Sequence, residues 1–226
     1  MGTRLQSVVC DVPKPLAIVG GVPFLDRILA QLSGFAFIKK VVLAVCYKSE
    51  MIIERYSSVN RYNFEIGFSV EERLLGTGGA IKKAVSYLSS DDVLVLNGDT
   101  FVDVDFDELL NFHNANNSIL TMVLHKGDMS GRYGSVMLDT HNKIKAFSEK
   151  TLQRGSMINA GVYVIKKILF ERIREGELSF ERDMLPDIIK HGAYGYPVAG
   201  RFIDIGIPET YLLAGEYLKN NLVGKS

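Results

Sequence analysis

The chain has 226 residues, 47% of them hydrophobic and 23% charged, close to the mix of an ordinary globular protein, so wholesale disorder is excluded. Its 26 Lys and Arg balance 26 Asp and Glu, with no run of one sign, and nothing favours a nucleic-acid backbone or an anionic membrane as partner. No stretch nears the roughly 18 consecutive apolar residues of a membrane span, and Met1–Leu5 lacks a signal-peptide core, which predicts a cytoplasmic protein.

In chain order, helical spacing first appears at Phe24, Leu25, Ile28, Leu29 and Leu32. Val41–Val45 then reads as a strand, Ala80, Ile81, Ala84, Val85 and Leu88 as a helix, and Val93–Leu96 and Leu120–Leu124 as further strands. Uninterrupted apolar runs of this length suit strands buried on both faces. Shorter strands are predicted at Ser135–Leu138, Ile144–Phe147 and Val162–Ile165. A last helix from Pro208 to Leu222 carries Tyr211, Leu212, Ala214 and Leu218 on its apolar side. The alternation predicts an α/β fold, one three-layer α/β/α domain over residues 1–226 with a mixed, mostly parallel sheet. Cys10 and Cys46 have neither metal nor redox spacing and read as buried thiols.

In such sheets ligands bind beyond the carboxyl ends of the strands, and four places qualify. Leu94–Asp99 ends a strand in Asn97, Gly98 and Asp99, and Arg201–Gly206 repeats the strand-then-carboxylate form with Asp204. Two such carboxylates suit Mg²⁺, which prefers oxygen ligands beside substrate phosphates; turn or helix capping by Asp99 is the competing reading. Leu75-Gly76-Thr77-Gly78-Gly79-Ala80 is a glycine-rich turn opening a helix, where free N–H groups can meet a ligand; it matches neither a Walker nor a Rossmann fingerprint, and a plain tight turn is the alternative. Basic residues stand in structured turns: Arg4, Lys14 between Pro13 and Pro15, and Lys150 after Glu149. Finally, Asp103-Val104-Asp105 has the Asp-x-Asp form of a metal-binding glycosyltransferase, but lies where it can cap the helix that begins near Glu108. The four histidines show no ligand spacing.

Taken together and in order, Gly2-Thr3-Arg4-Leu5, Pro13-Lys14-Pro15, Glu71 with Leu75–Ala80, Asn97-Gly98-Asp99, Phe147–Lys150, Asn159–Tyr163 and Asp204–Gly206 resemble the sugar-1-phosphate nucleotidyltransferases. The short length and the Arg132-Tyr133-Gly134 turn look most like the heptose 1-phosphate guanylyltransferases within that family. The resemblance implies a Rossmann-like nucleotidyltransferase domain with a nucleoside triphosphate and a sugar 1-phosphate as partners, Mg²⁺ as cofactor, and a homo-oligomer left open. It places Gly2, Thr3, Arg4 and Lys14 on the phosphates of the nucleotide, Glu71, Gly76, Thr77, Gly78 and Asn97 around the nucleotide, and Asp99 and Asp204 on the metal. Gly134, Glu149 and Asn159 would meet sugar hydroxyls, and Lys150 the sugar phosphate. The family pattern also sets an apolar strand and two glycines before Gly-Thr-Arg, where this sequence has Met1 alone; the expectation is a missing first strand, from a misplaced start. Other readings stay beside it: a mannose 1-phosphate guanylyltransferase or a UTP-using nucleotidyltransferase of the same family, a glycosyltransferase built on Asp103 and Asp105, and a non-catalytic regulatory homologue.

Overall fold

The structure, a computed structural model, describes residues 11–126, 133–148, 157–171, 173 and 176–218. A 3-10 turn at Lys14–Leu16 leads into a short hairpin, β1 (Ile18–Val19) and β2 (Val22–Pro23), and helix α1 (Phe24–Ser33). β3 (Lys40–Val45), α2 (Ser49–Tyr56) and β4 (Glu65–Val70) follow, then α3 (Gly76–Val85), β5 (Asp92–Leu96), β6 (Thr100–Val102), α4 (Phe106–Ala115) and β7 (Leu120–His125). The second half holds β8 (Ser135–Leu138), β9 (Ile144–Ser148), the long β10 (Met157–Lys166), a π-helical turn at Phe180–Met184, α5 (Leu185–Lys190), β11 (Ala193–Val198), β12 (Phe202–Asp204) and α6 (Pro208–Tyr217).

β10 organises the sheet. The strand order is β11-β7-β10-β8-β9, with β5 also hydrogen-bonded to β10. Its length allows this: Val162–Lys166 pairs with β5, while Met157 and Ile158 pair with β8. The sheet is mixed, as expected. Among the described residues parallel pairing is confined to β7–β11 and β3–β4, however, because β10 runs antiparallel to each of its neighbours. Two apolar clusters pack on the sheet's faces: one gathers Phe24, Leu29, Phe106, Leu109 and Val164, the other Val85, Leu120, Met122, Ile165 and Leu185. That division makes the three layers.

Most predicted elements appear within a few residues of their expected limits. Three expectations need correction. β7 is buried on both faces, but β3 and β5 are largely half-exposed. Among the described residues β3 pairs with β4 and β5 with β10 only, so each keeps one edge without a ladder. Leu212 is exposed at 69%, since Ala214 and Leu218 already supply the buried side of α6. Cys46 is half-buried rather than buried, and Cys10 lies outside the described residues. No helix among the described residues is long and apolar enough to cross a membrane.

One buried polar cluster is a stability element. His113 on α4 is fully buried; its Nδ1 shares a hydrogen bond with Thr121 Oγ1 at 2.8 Å and its Nε2 lies 3.4 Å from Asp92 Oδ1. Burial pushes its pKa below the ordinary histidine value, against the pull of Asp92. The unfolded chain therefore takes up the proton first, near pH 6.5. Stability should be flat above that pH and decline as pH falls through it toward the folded-state value. Urea unfolding midpoints at pH 7.5 and 5.5 test this: His113→Gln is expected to flatten the decline, and an unchanged slope would refute the assignment.

Candidate active site

The site assembles where β5 and β12 end, β6 begins and the first half of β10 passes. β5 closes at Leu96, and Asn97 N–H donates to Gly161 O at 2.9 Å. The Asn97 side chain lies over Gly161, whose φ is +70° and where a Cβ would stand 2.5 Å from Asn97 Nδ2; glycine is the residue that tolerates both demands. β6 and β12 pair antiparallel with Asp204 opposite Thr100, and Ile205 N–H donates to Asp99 O at 2.9 Å. This register brings Asp99 and Asp204 to one edge of the sheet, where both line the same cavity, although 105 positions separate them in sequence.

Lys14 reaches the same place. Pro13 caps the 3-10 turn and Pro15 lies within it, which fixes the backbone around the lysine. Its Nζ stands 3.6 Å from Asp99 Oδ2 and donates to Gly206 O at 3.4 Å. Gly206 N–H in turn donates to Asp204 Oδ1, orienting that carboxylate. A cation and two carboxylates thus share one edge.

Beside them opens a cavity of about 230 Å³ lined by Asn97, Asp99, Gly134, Asn159 and Asp204, all expected from sequence, together with Thr100, Tyr133, Gly161, Glu181 and Phe202. Gly134 and Asn159 meet directly, through Asn159 N–H to Gly134 O at 2.9 Å. The Asn159 amide is heavily engaged: Nδ2 donates to Tyr163 OH at 2.6 Å and to Glu181 Oε1 at 2.9 Å, and Oδ1 accepts from Gly161 N–H at 3.0 Å. Burial, with Glu181 nearby, pushes the Tyr163 hydroxyl pKa well up, so it stays a neutral donor. A larger cavity, about 330 Å³, lies at the start of β5 among Phe37, Leu94, Phe106 and Leu110. Its mainly apolar wall sits at the opposite end of β5 from Asn97 and Asp99, so the smaller, polar cavity is the better candidate.

The glycine-rich turn is held from two sides. Glu71 Oε2 accepts from Leu75 N–H at 2.9 Å, and Gly78 N–H donates to Leu178 O at 2.8 Å. The Thr77 hydroxyl accepts from Phe180 N–H at 2.8 Å. Glu71, Gly76, Thr77 and Gly78 therefore cluster as a loop against residues 178–180. Gly2, Thr3, Arg4, Glu149 and Lys150 lie outside the described residues.

The Asp-x-Asp run has structural partners. Burial alone would raise the Asp103 pKa, but Arg201, bidentate at 2.7 and 2.9 Å, holds it below the ordinary value. Asp105 caps α4 by accepting from Glu108 N–H at 3.1 Å, as the capping reading expected. No group of three or more acidic, histidine or cysteine side chains converges as a metal site among the described residues. Glu181 is the charged site residue that sequence reasoning missed, beside Thr100 and Phe202 of the same lining. It follows no strand; the available signal was Ser179 as an N-cap ahead of an acidic first turn, which marks a helix start and says nothing about which cavity the carboxylate faces.

A family model described as nucleotidyl transferase matches residues 1–221. The chain is 36% identical over 222 residues to the D-glycero-alpha-D-manno-heptose 1-phosphate guanylyltransferase of Campylobacter jejuni, covering 98% of this chain and 96% of that one. It is 37% identical to the enzyme of the same name from Aneurinibacillus thermoaerophilus, covering 97% and 95%. Among solved structures, HddC from Yersinia pseudotuberculosis superposes with a TM-score of 0.84 at 35% identity, covering 97% of this chain and 96% of that one, and it has also been solved complexed with GMP-PN. With a full-length family match and relatives above one third identity over nearly the whole chain, the protein belongs to the nucleotidyl transferase family.

Proposed function

We propose that this enzyme transfers GMP from GTP to D-glycero-D-manno-heptose 1-phosphate, giving the nucleotide sugar and pyrophosphate. The observation that carries the chemistry is the meeting of Lys14, Asp99 and Asp204 at one sheet edge, opening onto a polar cavity bounded by Gly134 and Asn159. The names of the relatives support the base and the sugar.

A sugar 1-phosphate is largely dianionic near pH 7, since the second phosphate pKa is about 6, so no general base is required. Its oxygen attacks the α-phosphorus of the triphosphate; the new P–O bond forms as the bond to the pyrophosphate oxygen breaks, and pyrophosphate leaves with that electron pair. What remains is alignment and charge neutralisation. Lys14, by the family resemblance, neutralises charge at the α-phosphate, a role its position beside Asp99 supports. By the family resemblance, Arg4 binds the β- and γ-phosphates and Lys150 the sugar phosphate. The donor chemistry fits Mg²⁺: Asp99 and Asp204, which line one cavity, the second oriented by Gly206 N–H, would hold the ion beside substrate phosphates. When bound, the ion supplies charge stabilisation at the α-phosphate. Glu71 and the Gly76–Gly78 loop hold the nucleotide, while Gly134, Glu149 and Asn159 meet the sugar.

Pyrophosphate release measured for ATP, CTP, GTP and UTP against heptose, mannose and glucose 1-phosphates tests the reading. Turnover is expected to be greatest for GTP with the heptose 1-phosphate. UTP as sole donor, mannose 1-phosphate as better acceptor, or nucleotide binding with no pyrophosphate formed would each overturn part of it.

A further inference from the structure

The turn at Phe180–Met184 touches both halves of the site. On one side, Leu178 N–H donates to Leu75 O at 2.8 Å, Leu178 O accepts from Gly78 N–H, and Phe180 N–H donates to the Thr77 hydroxyl at 2.8 Å. On the other, one residue further on, Glu181 Oε1 accepts from Asn159 Nδ2 at 2.9 Å and from Tyr163 OH at 3.4 Å. The Phe180 ring packs edge-on against Tyr163 with centroids 5.1 Å apart. Phe180 is buried, so the peptide between Thr77 and Glu181 cannot shift at one end without moving the other.

We propose that residues 178–184 form a strap coupling the nucleotide loop to the sugar subsite, with Thr77 and Glu181 as its two positioning residues. This deepens the function proposed above and rests on it. Thr77 holds the strap to the loop through its hydroxyl. Glu181 sets the amide of Asn159, whose two Nδ2 hydrogens are both spent on the Tyr163–Glu181 pair, leaving its Oδ1 turned toward Gly161. A nucleotide that orders the Leu75–Gly79 loop thereby orders Asn159, and the sugar 1-phosphate binds more tightly to the nucleotide-loaded enzyme. By linkage the effect runs equally in reverse.

The test is calorimetric and needs no turnover. Heptose 1-phosphate is titrated into the full chain with and without a saturating non-hydrolysable GTP analogue, for wild type, Thr77→Val, Thr77→Ser, Glu181→Ala, Glu181→Gln and the Thr77→Val/Glu181→Ala pair. The wild type is expected to gain about 5- to 20-fold in sugar-phosphate affinity from the analogue. Thr77→Val and Glu181→Ala should each abolish most of that gain, and the pair should lose no more than either alone. Thr77→Ser and Glu181→Gln, which keep an acceptor in place, should restore it. Unfolding midpoints identify a variant that fails to fold, and the single substitution at the other end of the strap then carries the result. Equal gains in wild type, Thr77→Val and Glu181→Ala, additive losses in the pair, or no gain in wild type would overturn the strap while leaving the function standing. Absence of binding by either ligand would instead remove the function, and the strap with it.

Discussion

Asp99→Asn is expected to lower kcat by roughly 10²–10³-fold at saturating Mg²⁺, a barrier increase of about 3–4 kcal/mol at 1.36 kcal/mol per tenfold. The substitution keeps the size of the side chain and removes its charge. It thereby weakens one of two carboxylates suited to the metal and takes away the partner that lies 3.6 Å from Lys14 Nζ. The Asp99 side chain is more than a third exposed, so the folded structure does not depend on it and the unfolding midpoint should hardly move. Pyrophosphate release over a Mg²⁺ titration separates the causes: weakened metal binding shifts the Mg²⁺ dependence, whereas lost transition-state stabilisation lowers the plateau. Undiminished turnover at every Mg²⁺ concentration would remove Asp99 from the chemistry.

The second large effect is on stability. Gly76→Ala places a side chain at φ +67°, and its Cβ would come within 2.4 Å of Leu178 O. The backbone strain costs about 1–3 kcal/mol, and overpacking typically adds a further 1–3 kcal/mol. The obstacle is a backbone carbonyl in the hydrogen-bonded contact with Gly78, which no rotamer change relieves. For a chain of this size 1 kcal/mol corresponds to roughly 2–4 °C in Tm, so the combined cost of about 2–6 kcal/mol should lower Tm by about 4–24 °C in differential scanning calorimetry. Gly21→Ala is the control: φ is +88° there, but no atom lies within 4 Å of the added Cβ. It carries the strain without the collision and should fall less. Equal shifts in the two variants would show that the close approach to Leu178 contributes nothing.

Much of the site was legible before the fold. Asp99 and Asp204 could be found because each closes a segment led by an apolar run, Asp204 directly and Asp99 after Asn97 and Gly98, and strand ends are where α/β sheets bind ligands. Lys14 was marked by the prolines around it. The run Leu120–Leu124 was legible as a doubly buried strand because its apolar stretch is uninterrupted. β4, Glu65–Val70, was not picked out, since Glu65, Gly67 and Ser69 alternate with Ile66, Phe68 and Val70 in too short a stretch to stand apart from a loop. Glu181 stayed hidden for a different reason: its role depends on Asn159 and Tyr163, about twenty positions away on another strand.

The glycine-rich turn shows where local reasoning stops. From sequence, Gly76 and Gly78 are explained by a ligand's close approach. In the fold another part of the chain already presses on them: Cβ atoms there would meet Leu178 O at 2.4 Å and Met184 Sδ at 2.7 Å. Likewise, Asp103 and Asp105 have the spacing of a metal motif, and only the folded chain shows one carboxylate paired with Arg201 and the other capping α4.

By itself, then, the sequence determined where the long apolar strands and several of the helices lie, that the fold is α/β, and which charged residues stand at strand ends, because hydrophobic periodicity and turn chemistry are local properties. Tertiary structure alone decided that β10 runs antiparallel through the centre of the sheet, that Asp99, Asp204 and Lys14 converge, and that Glu181 reaches Asn159. Those facts depend on strand register and on contacts between residues 18 to 192 positions apart, which no local pattern encodes.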